Sequence, residues 1–596
     1  VCTCAHFTLA EQVSRAGGSR LDRWIADWTP SERWPHYTRA NAGEVLAPPA
    51  TPLGQTYSFD NGMVLGWRDG YVRQGVYAEG EMSDVRPEPC GFFGGYFYIN
   101  LSNVRMQGVR NPAVTVEQLD MAFFGDHPDV PPYEPHPDDE RPDLEEAILA
   151  HLGWVMTATE WPEIDADRET TEALRRSRSD LESLTPAELL ARAREIQPLH
   201  QSLFAVHAVS SSSSGIAPGI LFAVGEAIGD PTIPMRLVAG LGGVDSAEPS
   251  FALWDLSRTV KQSDLLTEEF DGGIDGLLGR LLSADHPDAA AFLADWDKFI
   301  LEFGSRGPNE WEIGADSWET RPELALALLD RVRFQSDDES PGNRQGNQAA
   351  EREQVTAEVR AKLEKLGNDE LSGQFEAALV AANMMQYRER TKTNLVRVVN
   401  EARVVFQELG RRMAAAGHLE KPDDMFMLLD EELEEFVGAP QAFTSAAAER
   451  ARDYETLRSI EPPFFIINGE VPPISTWDKR EAAAADQLSP GDAIQGVPGC
   501  PGSVRGRARV VTDPGDPRGL EPGDILIAPL TDPAWTPLFM TAGGVVVDVG
   551  GQISHAIIVS RELGLPCVVS ATGATMRIPD GAEVEVNGST GEVTLL

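Results

Sequence analysis

The segment VVVDVGGQISHAIIVSRELGLPCVV, residues 545–569, constrains this chain more than any other. The apolar run Val545–Val549 reads as a buried strand, and the pair Gly550-Gly551 ends it. Ser554 is a good N-cap, so a helix is predicted from there to about Leu563, stopped by Gly564 and Pro566. His555 then falls in the first helical turn, where free N–H groups and the positive end of the helix dipole favour an anion. Glycines without Cβ let backbone approach such an anion closely. A neutral imidazole is nucleophilic, and an ordinary pKa of about 6.5 keeps it mostly neutral near pH 7. The residues alone leave two readings: a phosphate-loop nucleophile, or a histidine that starts a core helix after a common strand–glycine turn.

Around this segment the last hundred or so residues read as α/β. The runs ARVVT, DILIAPL, GGVVVDVG, PCVVS, EVEVN and EVTLL alternate with turn signals and two short helices. Upstream, to about residue 455, the pattern is mainly helical. It is clearest over Thr185–Glu195, Ala289–Phe303, Ala349–Leu366 and Phe375–Ala416, with Thr185 as N-cap and Pro186 in the first helical position. The Gly/Ser-rich breaks at 210–219 and 239–249 are expected to be flexible loops, with a substrate-facing loop as the alternative. Residues 1–145 mix Trp, Pro and Gly and end in an acidic, Pro-rich stretch that reads as an exposed linker. The predicted fold class is multidomain α+β: a largely helical body (1–461, with a division into two subdomains near 145 left open), a hinge linker (462–495) and an α/β domain (496–596). Trp, Phe and Met of the body are expected mostly in its core.

A balance of 94 acidic to 50 basic residues, net charge −44, argues against a nucleic-acid or anionic-membrane partner. Cys2, Cys4, Cys90, Cys500 and Cys567 are scattered, as free thiols in a reducing compartment would be. The start, VCTCAHFTLAEQVSRAGG, does not read as a signal peptide, and no apolar run of about 20 residues is expected to span a bilayer. A soluble, cytoplasmic protein is expected.

Positions 381, 385, 388, 392, 395, 399, 402, 406 and 409 step by four and three along one helix face. Arg388 and Lys392 interrupt this otherwise apolar stripe one turn apart, which requires partners or a bound anion. A snorkelling or salt-bridged pair is the alternative to a site. In FGSRGPNE, Arg306 and Glu310 read either as a substrate contact or as an ion pair that orders the loop.

GGQISHAIIVSRELGLPCVV, GVPGCPGSVRGRARVV (496–511), GDILIAPLTDPAWTPLF (523–539) and DGAEVEVNGSTGEVTLL (580–596) together resemble the swivelling phosphohistidine domain of the phosphoenolpyruvate-utilising enzyme family. TRANAGEVLAPPATPL (38–53), GLGGVDSAEPSFALWDLSR (240–258), FGSRGPNEWEIGADSWETRPE (303–323) and MMQYRERTKTNLVRVV (384–399) resemble the acceptor-binding central domain of its rifampin phosphotransferase branch. The resemblance implies that His555 carries a phosphoryl group and that Gly550, Gly551 and Ser554 shape its loop. It implies that Arg388 and Lys392, matching an Arg-x-x-x-Lys pair, contact the group in transfer. Arg306 and Glu310 become candidate substrate-binding residues, and Ser305 stands where relatives commonly carry His. The family's ATP-binding domain and phosphoenolpyruvate-binding barrel are not recognised here. The expected arrangement is a phosphotransferase component charged by a separate ATP-binding subunit with Mg²⁺ and ATP, as in phenylphosphate synthase, with phosphoenolpyruvate as an alternative donor. No metal or cofactor is assigned to this chain itself. The acceptor is expected to be a small molecule with a hydroxyl group. Two further readings are a phosphorylation-dependent dehydratase or activation system, and a non-catalytic binding or regulatory relative.

Overall fold

The computed structural model describes residues 23–596 except 113, 125–128, 231, 338–339, 480–486, 513–519, 532–534 and 552–553. Cys2, Cys4 and the reading of the chain start therefore lie outside the described residues. The fold is multidomain α+β, a mainly helical body followed by a sheet-based domain.

All six β-rich runs near the end form strands of one eight-stranded sheet. Its spatial order is 493–495, 592–595, 583–587, 503–510, 525–528, 544–547, 567–569 and 497–500. The four strands from 503–510 to 567–569 run parallel, and the remainder are antiparallel. The strands Ile525–Ala528, Gly544–Val547 and Cys567–Val569 are buried throughout, which is why their sequences are continuous apolar runs. Alternate residues serve different cores. Ile525, Ile527 and Val546 pack within the domain, while Leu526, Ala528, Val545 and Val547 join the core of helices Glu248–Gln262, Pro287–Phe303 and Glu323–Val332. One face of the sheet is thus seated on the body.

The body has a four-stranded sheet in the order Cys90–Phe93, Tyr96–Asn100, Tyr37–Thr38, Phe465–Ile466. A single core joins Trp24, Tyr57 and Phe92 to Leu203, Leu395 and Trp477, so residues before 145 are not a separate subdomain. The hinge is also narrower than expected. Phe465–Ile466 pairs with Tyr37–Thr38, Ile460–Glu461 pairs with Asp478–Lys479, and Ile474 and Trp477 are buried in the body. Leu488 already packs in the sheet-domain core and its N–H bonds Arg577 O, so only about 480–487 is left between the two, of which 480–486 lies outside the described residues.

Helix Pro186–Ser213 starts at a capping box, with Thr185 accepting from Glu188 N–H and Glu188 accepting from Thr185 N–H. It runs on through the serine-rich stretch, which corrects the loop expected at 210–219; Ile216–Ile228 is helical as well. The serine hydroxyls satisfy themselves inside the helix, Ser210 on His207 O (3.0 Å) and Ser212 on Ala208 O (2.8 Å). The second break does form a loop, with Gly240, Gly242 and Gly243 at positive φ. The helix expected over 375–416 is interrupted at Ala382, giving Asp369–Ala381 and Asn383–Ala415. Contrary to the sequence expectation, Pro186–Ile228 contains a window long and apolar enough for a membrane span, mean hydropathy 1.3. Half of that window is buried inside the protein.

Candidate functional site

The helix that follows the glycine pair is His555–Leu563, closed by Gly564 in the left-handed region (φ 66°). Ser554 holds the N-cap position, yet its hydroxyl makes no capping bond and is buried without a hydrogen-bond partner. His555 is 8% exposed. Its Nε2 lies 3.0 Å from Thr536 Oγ1 and its Nδ1 lies 3.1 Å from Thr531 Oγ1. A neutral imidazole has one donor and one acceptor nitrogen, and a threonine hydroxyl serves either role. The two threonines, with Phe539 edge-on at 5.8 Å, fix the ring plane. Burial, followed by the charges of Lys392, Arg306 and Arg388, holds the His555 pKa well below the usual imidazole value. The ring is therefore neutral at physiological pH.

The three cations come from the body. Arg388 and Lys392 are half-buried on helix Asn383–Ala415, whose other stripe residues Met385, Leu395, Val399, Ala402, Phe406 and Leu409 are buried. Arg388 pairs with Glu389, and Lys392 Nζ lies 3.2 Å from Glu310 Oε1. Arg306 Nη1 sits 3.2 Å from both oxygens of Glu310, and its Nη2 donates to Thr393 Oγ1 at 2.6 Å. Arg306 and Glu310 are both 1% exposed and form a buried ion pair. They hold Lys392 in place. Ser305 is likewise buried.

Arg388, Lys392, Gly551 and Arg561 line one cavity of about 1020 Å³ together with His207, Trp311 and many apolar side chains. Several aromatic and Met residues of the core also wall this space, including Met63, Trp67, Phe97 and Phe204. Ser211, Ser212 and Ser213 of the serine-rich helix also reach it. His207 donates to or accepts from Thr391 Oγ1 at 3.0 Å, and burial, then Arg388 and Lys392, keep its pKa well below normal. The second glycine-rich loop bridges the two domains. Leu241 N–H donates to Glu562 Oε1 (3.3 Å), and Gln386 Nε2 donates to Leu241 O (3.0 Å) and Gly242 O (2.7 Å).

Two further features escape sequence reading. Thr531 and Thr536, the partners of the imidazole, sit in a segment with only a strand signal. Glu44, on the short helix Ala42–Val45, accepts a hydrogen bond from Gly551 N–H at 3.2 Å. Burial pushes its carboxyl up to about 7, against the pull of the Gly551 N–H, Arg388 and Lys392. Among the described residues, no group of three or more His, Cys, Asp or Glu side chains is arranged to hold a metal ion.

Residues 207–389 match the family model of the rifampicin phosphotransferase fourth domain, and residues 520–591 match that of the PEP-utilising enzyme mobile domain. A rifampicin phosphotransferase of Streptomyces sviceus is 28% identical over 377 residues, covering 62% of this chain and 42% of the relative. The prodigiosin synthesizing transferase of Serratia marcescens is 29% identical over 367 residues, covering 60% and 40%. An uncharacterised protein of Mycobacterium tuberculosis is 35% identical over 290 residues, covering 49% and 30%. The chain thus spans less than half the length of these curated relatives. Its matched regions include both Arg388 and the His555 loop: the body is similar to a rifampicin phosphotransferase domain and the end of the chain to a PEP-utilising enzyme mobile domain.

Proposed function

We propose that this chain carries a phosphoryl group on His555 and delivers it to a hydroxyl of a small molecule bound in the body cavity. The observation that carries the reading is a neutral, buried His555 whose loop shares one cavity with Arg388 and Lys392. In the transfer, the acceptor oxygen bonds to phosphorus as the phosphorus–nitrogen bond breaks and its electron pair returns to the imidazole. Arg388 and Lys392 neutralise charge on the phosphoryl oxygens. The apolar wall excludes water and binds the acceptor's body, which suits a bulky, largely apolar alcohol or phenol. Two relatives bear the names of a rifampicin phosphotransferase and a prodigiosin synthesizing transferase, both consistent with a large apolar partner.

The phosphoryl donor is ATP, bound with Mg²⁺ by an ATP-binding unit outside the described residues, either a separate subunit or another part of the same polypeptide. Delivery from that unit requires the sheet domain to leave the body.

Intact-mass spectrometry at alkaline pH, which preserves phosphohistidine, tests the reading. The chain is incubated with Mg²⁺ and ATP or phosphoenolpyruvate, with and without the ATP-binding unit, beside His555→Ala. One phosphoryl mass gained with that unit and absent in the variant is expected. No labelling by any donor refutes the proposal. A product that has lost water instead of gaining phosphate redirects it to a dehydratase.

A further inference from the structure

We infer that Glu44 is the general base of this transfer, taking the proton of the acceptor hydroxyl as the phosphoryl group leaves His555. The inference deepens the proposed function and rests on it. Glu44 reaches across the domain junction: its Oε1 accepts from Gly551 N–H, the backbone of the loop that presents His555. Its chain neighbours Asn41 and Val45 line the same cavity as Gly551, Arg388 and Lys392. The carboxylate itself is held beside that cavity, against the His555 loop and facing Arg388 and Lys392.

Its mounting is rigid. Arg39 donates to Leu46 O at 3.2 Å, to Ala47 O at 3.1 Å and to Phe97 O at 2.6 Å, and lies over the rings of Tyr96 and Tyr98. Asn41 enters the short helix at φ 58° and ψ −39°, a tight turn closed by Ala42 N–H on Ala40 O at 2.6 Å.

The other nearby carboxylates are committed. Glu310 is shared by Arg306 and Lys392, and Glu389 is paired with Arg388. Glu44 forms no ion pair among the described residues, so it has lone pairs to offer. The groups facing it are Arg388 and Lys392 from the long helix and the Gly551 N–H from the loop; with a carboxyl raised to about 7 it is a competent base near neutral pH. The step balances: an oxygen–phosphorus bond forms, the phosphorus–nitrogen bond breaks, its pair stays on a ring whose other nitrogen has kept its N–H so that neutral imidazole leaves, and the hydroxyl proton ends on Glu44.

The test uses the whole chain charged on His555 with phosphoramidate, which bypasses the ATP-binding unit. Loss of the phosphoryl group to a series of phenols of falling pKa is followed by rapid quench. Glu44→Gln is expected to take up phosphoryl normally and to transfer it about 10²–10⁴-fold more slowly to phenol. Its deficit shrinks toward the most acidic phenols, which need no base, and the acid limb of the transfer pH profile disappears. Glu44→Asp recovers part of the rate. Transfer by Glu44→Gln at the wild-type rate, or a deficit equal across the phenol series, overturns the inference. Wild type that takes no phosphoryl group, or holds it against every phenol, refutes the underlying proposal instead.

Discussion

Replacing Lys392 by methionine separates what its ammonium does for the fold from what it does for the reaction. Lys392 Nζ lies 3.2 Å from Glu310 Oε1 in a buried cluster. Stranding a buried charge typically costs about 3–5 kcal/mol. Glu310 is not stranded here, because Arg306 Nη1 remains 3.2 Å from both of its oxygens. The expected stability loss is therefore about 1 kcal/mol, the net value of one hydrogen-bonded contact. The reaction has less redundancy. Loss of one preorganised charge at the site of developing negative charge costs roughly 10²–10³ in rate, or about 3–4 kcal/mol. Lys392→Met should thus unfold in urea close to wild type while transferring phosphoryl from His555 some hundredfold more slowly. It should also raise the His555 pKa, since Lys392 is the largest charge holding it down after burial. Urea titration, rapid-quench transfer and an NMR titration of the His555 ring measure the three effects. Transfer within threefold of wild type, or a stability loss of the full 3–5 kcal/mol, would refute the division of roles.

Other outcomes follow from the same geometry. Glu310→Gln leaves Arg306 and Lys392 without their carboxylate, so a loss of about 3–5 kcal/mol in urea is expected; a neutral result means the cluster is wetter than it looks. Gly550→Ala brings a Cβ to 3.1 Å from Val569 Cβ and 3.2 Å from Ser554 Oγ, so it should cost about 1–3 kcal/mol and slow phosphoryl uptake by shifting the loop. For pH, the comparison of wild type with His555→Gln isolates one group. The folded state holds the His555 pKa well below 6.5, so below 6.5 the unfolded chain binds the extra proton. Wild type should lose stability relative to the variant by about 1.4 kcal/mol per pH unit as pH falls from 6.5 toward the depressed pKa, with no change above it. A pH-independent difference between the two urea curves would contradict a buried, neutral imidazole.

Local signals carried far in this sequence, and long-range ones did not. The strand, glycine pair and helix around His555 were legible because apolar run, N-cap and left-handed Gly564 are all encoded within one short segment. Arg388 and Lys392 were legible as charges breaking a helical stripe. The serine-rich helix was not, because serine's weak helix preference is overridden there by packing, which buries Ser210, Ser213 and Ser214. Nor was the pairing of Phe465–Ile466 with Tyr37–Thr38, since two-residue strands have no period of their own and are made by their partners. Glu44 meets Gly551 across 507 positions of chain, a contact set by the seating of one domain on the other. Apolar composition likewise gave no means of telling Trp318 in the core from Trp311 on the cavity wall.

The arrangement of charge at the junction bears on why such a site would hand its phosphoryl group on instead of keeping it. Without phosphate, Arg388 is matched by Glu389, and Arg306 and Lys392 share Glu310, while Glu44 rests against the loop N–H. An arriving phosphoryl group brings about −1.5 to −2 charges into this company. Were the cations unpartnered, they would bind the phosphohistidine tightly in its ground state, which lowers no barrier. Because each is already engaged, the ground state gains little from them. The transition state spreads charge over the equatorial oxygens and moves the phosphorus toward the acceptor. Glu44 faces Arg388 and Lys392 without pairing to either, so its negative charge weakens their pull on the phosphoryl oxygens. In the proposed mechanism its protonation by the departing hydroxyl proton removes that charge as the phosphoryl group moves, while Glu310 and Glu389 stay paired. The cations then act more strongly on the transition state than on what precedes it, and proton transfer and phosphoryl transfer become one electrostatic event.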